Sequence, residues 1–192
     1  MFLVNEKVVY PGYGVAIISK LVKRLIAGKQ TSFYELKFFD KDMAVLIPED
    51  RIEAVGIRRL STDAELNSMF KILTRPVKPL KQEVGVNNWN RRNKKYQLDL
   101  RSGDLFKLST IYRDLLLISL EKELSFGERN LCSKIESMLI AEISAIKNIG
   151  KQEALSCLKE SLIFIKKVSG DLNPDKDKNL FKDVDKLEVQ GI

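Results

Sequence analysis

The hydrophobic period of this chain changes once, near Ser61, and that change limits the folds open to it. Before it, short apolar runs are bounded by turn residues. Lys7-Val-Val-Tyr10 is followed by Pro11-Gly12-Tyr13-Gly14, and the β-branched run 15–22 is followed by Ala27-Gly28-Lys29-Gln30. In residues 32–39 Phe33, Glu35 and Lys37 alternate with Tyr34, Leu36 and Phe38, and the run 43–47 is ended by Pro48. Strands this short, with no helix between them, predict a small, strongly bent sheet or barrel. After the change, apolar residues recur at helical spacing. Leu66, Met69, Phe70 and Leu73 share a face behind a cap at Ser61 or Thr62. A second helix starts near Asn87 or Asn88, either a good cap, and carries Trp89, Arg92 and Tyr96, with Leu98 and Leu100 near its end. The third is capped by Ser102 and striped by Leu105, Leu108, Ile111, Tyr112 and Leu115. A fourth follows the capping box Ser125-x-x-Glu128 and shows a mostly apolar face of Leu131, Ile135, Met138, Leu139, Glu142 and Ile143. Gly150 breaks it before a fifth at 151–167. The expected class is α+β, a small bent sheet followed by about five helices that bury their stripes against one another.

Three segments follow from this: the sheet at 1–60, a helical unit at 61–168, and a charged tail at 169–192. The tail is rich in Asp and Lys and contains Pro174, so it reads as flexible, with a transient helix near 179–187. At 192 residues the chain is long enough for each of the first two segments to bury a core.

Composition excludes much chemistry. The chain has no histidine, which removes the imidazole base of Ser-His and Cys-His nucleophiles. Two cysteines, Cys132 and Cys157, fall on apolar helical positions and read as buried free thiols, and without histidine they cannot complete a tetrahedral metal set. Neither phosphate-cradling glycine motif is present. The expectation is a protein that is not an enzyme and takes no metal or cofactor. No apolar run approaches a membrane span, and the first residues lack the pattern of a secretory signal, so the expected location is cytoplasmic.

Charge is the positive signal. Residues 71–107 hold ten Lys/Arg against three Asp/Glu, a surplus of seven that equals the net +7 of the whole chain. At its centre stands the only tryptophan, in Asn88-Trp89-Asn-Arg-Arg92. Cations neutralise phosphates, and a flat ring stacks on bases or wedges between them. Two readings fit Trp89: a nucleic-acid contact in the first turn of a helix, or a ring turned inward while its charged neighbours face water.

Two segments resemble the CarD/CdnL transcription regulators. Lys7-Val-Val-Tyr-Pro-Gly-Tyr-Gly-Val15 looks like the opening of that family, and Asn88-Trp89-Asn-Arg-Arg92, with Lys94 and then Ser102-Gly-Asp104, looks like its carboxy-terminal signature. Val55-Gly-Ile57-Arg58, after Pro48, also fits, and the likeness runs in order over about residues 2–165. The amino-terminal sheet is shared with transcription-repair coupling factors.

This resemblance implies a bacterial regulator whose Tudor-like amino-terminal domain binds the RNA polymerase β subunit, partly by strand addition. Its helical domain then reaches promoter DNA at the upstream edge of the transcription bubble. There a tryptophan wedges into the minor groove, with little sequence specificity, and stabilises the open complex. On this chain the implied DNA contacts are Trp89, Arg91, Arg92 and Lys94. The implied polymerase contacts are Arg24 and the run Leu46, Ile47 and Pro48. Two positions depart from the pattern: Leu46 stands where many members carry a second polymerase-facing arginine, and Tyr13 replaces a histidine. The expected form is a monomer without membrane association. Two other functions compete, an architectural DNA-binding protein that needs no polymerase and a peptide-binding Tudor-like module that uses Tyr10, Tyr13, Phe33 and Tyr34 as an aromatic cage.

Overall fold

The computed structural model describes residues 1–39, 42–75 and 86–169. Five antiparallel strands come first: β1 (Lys7–Tyr10), β2 (Gly14–Ile26), β3 (Lys29–Phe38), β4 (Ala44–Pro48) and β5 (Arg58–Arg59). They lie in the order β4-β3-β2-β1-β5. A 3-10 turn (Glu49–Arg51) and the single-turn α1 (Ile52–Val55) separate β4 from β5. The helices follow: α2 (Asp63–Thr74), α3 (Val86–Ser102), α4 (Leu105–Glu121), α5 (Phe126–Lys147) and α6 (Lys151–Ser169). The α+β architecture read from the change of period is the one observed.

Alternation along β3 sends Tyr34, Leu36 and Phe38 into a core with Val8, Ala16, Ile18, Ile47, Ile52 and Ile57. A bulge bends the long strand: Ile18 pairs with Leu36 but Lys20 pairs with Glu35, which leaves Ser19 as the extra residue. Ser19 Oγ donates to the Glu35 carboxylate at 2.9 Å, fixing the bulge. The helices form a second core around Leu66, Met69, Tyr112, Leu115, Ile135 and Leu139, residues of the stripes, joined by Leu158 of α6. Thr62 and Ser125 both close capping boxes, with Glu65 and Glu128 respectively. These boxes satisfy N–H groups that the first turn leaves without partners.

Several boundaries differ from the sequence reading. The second strand continues four residues past Val22, to Ile26, because β3 pairs with it along its whole length. Main-chain bonding sustains this ribbon although Leu25 and Ile26 are exposed. α3 begins at Val86, ahead of Asn87 and Asn88. Asp104, not Ser102, caps α4: its carboxylate accepts from Phe106 N and Lys107 N, both at 2.9 Å, while Ser102 is the last residue of α3. Gly103 between them adopts φ +64, which ends one helix before the next is capped. Leu98 is exposed, and only Leu100 of that pair is core. Cys132 and Cys157 are free but only half-buried, and burial pushes the Cys132 thiol up to about 12, so it stays protonated and inert at neutral pH. The tail and its expected transient helix lie outside the described residues. Among the described residues no helix is long and apolar enough to cross a membrane, and no acidic, cysteine or histidine cluster could hold a metal.

Sheet and helices meet at a joint. β1 is covered on both faces: Val8 points into the sheet core, while Val9, with Val15, packs on Ala141 of α5. Glu142, next along α5, is 2% exposed. Its carboxylate accepts from Arg58 Nη1 at 2.7 Å and Nη2 at 2.9 Å, and from Ser61 N and Oγ. The same guanidinium donates to Gly103 O, which ties the α3–α4 corner to the sheet. Gly103 also packs against the first turn: a Cβ there would stand 3.2 Å from Pro11 Cα. The resembling segments at residues 7–15, 55–58 and 102–104 thus converge on one place in the fold.

Candidate nucleic-acid interface

α3 has an inward and an outward side. Tyr96 and Leu100 are buried in the helical core, and Trp89 is partly buried against it. Burial pushes the Tyr96 phenol up to about 12, so it is neutral at physiological pH. The benzo edge of the Trp89 indole lies over Gly127 in the first turn of α5, where a Cβ would come within 3.2 Å of Cζ2. The ring is thus divided: one portion packs on the domain, and the rest stays open.

The cations of this segment separate by helix phase. Arg91 and Lys94 are exposed and, with Asn90, line a shallow depression on the outer face of α3. Arg92 does not join them. Its guanidinium turns toward α5, where Nη2 is 3.3 Å from the Glu128 carboxylate, itself 4% exposed, and its Nε is buried without a partner. Arg92, expected beside Arg91 and Lys94 as a phosphate contact, is half-buried and ion-paired, and so also holds α3 on α5. Arg91 and Lys94 have no ion pair among the described residues, so two cations can neutralise phosphates beside the indole.

The residues expected to face polymerase lie on the sheet. Among the described residues β4 pairs on one side only, with β3, and so presents an open edge of the kind that accepts an added strand. Leu46 and Pro48 are half-buried on it. Ile47 is 3% exposed in the sheet core, so its main chain, not its side chain, is what the edge presents. Arg24 is exposed and sits opposite Thr31, in the part of the β2–β3 ribbon beyond Phe33, where pairing with β4 ends. Arg24 therefore lies on the β2–β3 hairpin, past the end of β4, which pairs with the same β3. The aromatic residues of the competing peptide reading divide: Phe33 and Tyr34 are core, whereas Tyr10 and Tyr13 stack edge-on at 5.0 Å with Phe38 beside them. Two of the four rings proposed for a cage are thus committed to packing.

Three residues that shape these sites escaped the sequence reading. Glu142 was grouped with an apolar stripe, although a carboxylate there already signals a buried cation. Gly127 and Gly103 are close-approach positions visible only once the helices are placed.

Family comparison decides what the two halves are. Residues 2–61 match the CarD-like/TRCF RID domain, and residues 68–159 match the CarD C-terminal domain. The chain belongs to the CarD-like family of transcription factors. A Bacillus subtilis (strain 168) protein named "Putative transcription factor YdeB" is 23% identical over 156 residues, covering 81% of this chain and 99% of that protein. In this CarD-like chain, the two matched models meet at the joint built by Arg58, Glu142 and Gly103.

Proposed function

We propose that this CarD-like chain docks on the β subunit of bacterial RNA polymerase through the open β4 edge and Arg24, and stabilises the promoter open complex by inserting Trp89 at the upstream edge of the bubble. Residues 1–60 serve as the polymerase-binding domain and 61–168 as the DNA-contacting domain. The observation that carries this reading is the composite at the start of α3. A partly open indole is braced on Gly127, and exposed Arg91 and Lys94 stand beside it in the segment that holds the chain's whole charge surplus.

Unstacking a base step costs a few kcal/mol, and a ring set against the exposed step recovers part of it. Stacking on a single base is worth about 1–3 kcal/mol. Because the fork exists only once the duplex has opened, that energy favours the open state over the closed one. Nothing in the mechanism reads base edges, so sequence preference is low. Two exposed cations give weak binding to free duplex, and docking on polymerase supplies the effective concentration that makes the contact productive.

Binding to purified polymerase and to free duplex tests the division of labour. Arg24→Glu is expected to weaken polymerase binding about tenfold or more, because it reverses the charge at the proposed contact. Trp89→Ala should bind polymerase as wild type does. Tight duplex binding without polymerase would favour the architectural reading instead, and full polymerase affinity in the Arg24 variant would remove that contact.

A further inference from the structure

We infer that the capping turn of α5, Ser125 to Glu128, is the seat that orients Trp89, with Gly127 and Glu128 as positioning residues for the DNA contact. The inference rests on the reading of Trp89 as that contact. Two observations meet there. Gly127 is the floor beneath the indole: a Cβ there would stand 3.2 Å from Cζ2, closer than most real contacts, with Cε2 and Nε1 at 3.7 and 3.8 Å. A side chain at 127 therefore asks the ring to shift by a few tenths of an ångström.

Glu128, next in the same turn, divides its carboxylate between two helices. Oε2 accepts from Ser125 N at 2.9 Å and from Ser125 Oγ at 2.8 Å, closing the cap of α5. Oε1 accepts from Arg92 Nη2 at 3.3 Å, three residues along α3 from the tryptophan. One buried carboxylate thereby fixes both the start of α5 and the rotation of α3 about its axis. The ring's position is set by the floor and its direction by this ion pair. A contact that must meet a fork of fixed geometry gains from being held before it arrives, because ordering it then costs nothing at docking.

A glycine that served only to fill the helix would behave differently. Alanine is the better helix former, so Gly127→Ala in such a role would leave stability equal or raised and Trp89 untouched. A seat predicts the opposite for the ring. Trp89 is the only tryptophan in the chain, so emission excited at wavelengths longer than tyrosine absorbs reports on it alone.

The test measures the emission spectrum of free wild type, Gly127→Ala and Glu128→Gln, and the lifetime of open complexes with each and with Trp89→Ala. The expected result is a red-shifted emission for Gly127→Ala and an open-complex lifetime gain about fivefold smaller, with polymerase affinity unchanged. Glu128→Gln keeps a capping side chain but removes the charge facing Arg92, and should shift both readouts the same way by less. Wild-type emission in Gly127→Ala, or shifted emission with a full lifetime gain, would overturn the seat. If Gly127→Ala fails to fold, Glu128→Gln decides by the same criteria. A Trp89→Ala variant that lengthens lifetimes as wild type does would sink the underlying reading instead, whatever the seat variants show.

Discussion

Arg58 and Arg91 carry the same guanidinium and do opposite things. Arg58, at the joint of sheet and helices, has its donors committed to Glu142 and Gly103 O, with the Glu142 carboxylate almost wholly buried. Arg91, on the outer face of α3, is exposed and has no ion pair among the described residues. The joint is built to hold one geometry. The α3 face is built to keep its charge available. The proposed function, docking on one macromolecule and reaching another, needs both. The joint sets where the helical half sits relative to the β4 edge, and α3 supplies what is presented there. Arg92 marks the boundary between the two behaviours: it lies one residue from Arg91 in sequence, yet helix phase turns it to Glu128 and makes it part of the scaffold.

The contrast can be broken most severely at Glu142. Glu142→Ala leaves Arg58 and Ser61 without their shared acceptor in a partly buried site, and the expected loss of stability is about 3 kcal/mol by urea unfolding. A loss under about 1 kcal/mol would mean that the joint is held by Val9, Val15 and Ala141 alone. Gly103→Ala attacks the same joint through the backbone. The residue is left-handed and a Cβ would press on Pro11 Cα, so a loss of about 2 kcal/mol is expected. An alanine tolerated without loss would show that the first turn yields freely. On the other side of the comparison, Arg91→Ala with Lys94→Ala should change stability by less than about 0.5 kcal/mol. It should nonetheless reduce the slope of log affinity against log salt, for DNA engaged by the polymerase-bound protein, by about 2. An unchanged slope would move the phosphate contact off α3.

Much of this architecture is legible in the sequence, for reasons that differ between elements. The change from strand to helix periodicity near Ser61 is a local property, and so are the alternation of β3 and the Ser125-x-x-Glu128 cap; all three were readable. The inner and outer residues of α3 were not separable, because helix phase says which residues share a side but not which side meets the core. Arg92 was therefore grouped with Arg91 and Lys94 until α5 was in place. The resemblance names Ile47 as a partner contact without saying which part of it is presented; pairing opposite Tyr34 puts its side chain in the core and leaves the main chain at the edge. The cap of α4 shifted from Ser102 to Asp104 because both are good capping residues, and only the left-handed Gly103 decides between them. Three of the resembling motifs build the joint, whereas the segment around Trp89 turns Arg92 inward and leaves Arg91 and Lys94 exposed.

The most direct test of the account is the lifetime of promoter open complexes formed by a bacterial RNA polymerase and challenged with a competitor, measured without the protein, with wild type and with Trp89→Ala. The account predicts that wild type lengthens the lifetime and that Trp89→Ala loses about 1–3 kcal/mol of that stabilisation, a factor of about 5 to 150, while still binding polymerase. A Trp89→Ala variant that binds polymerase and lengthens the lifetime as wild type does would contradict it.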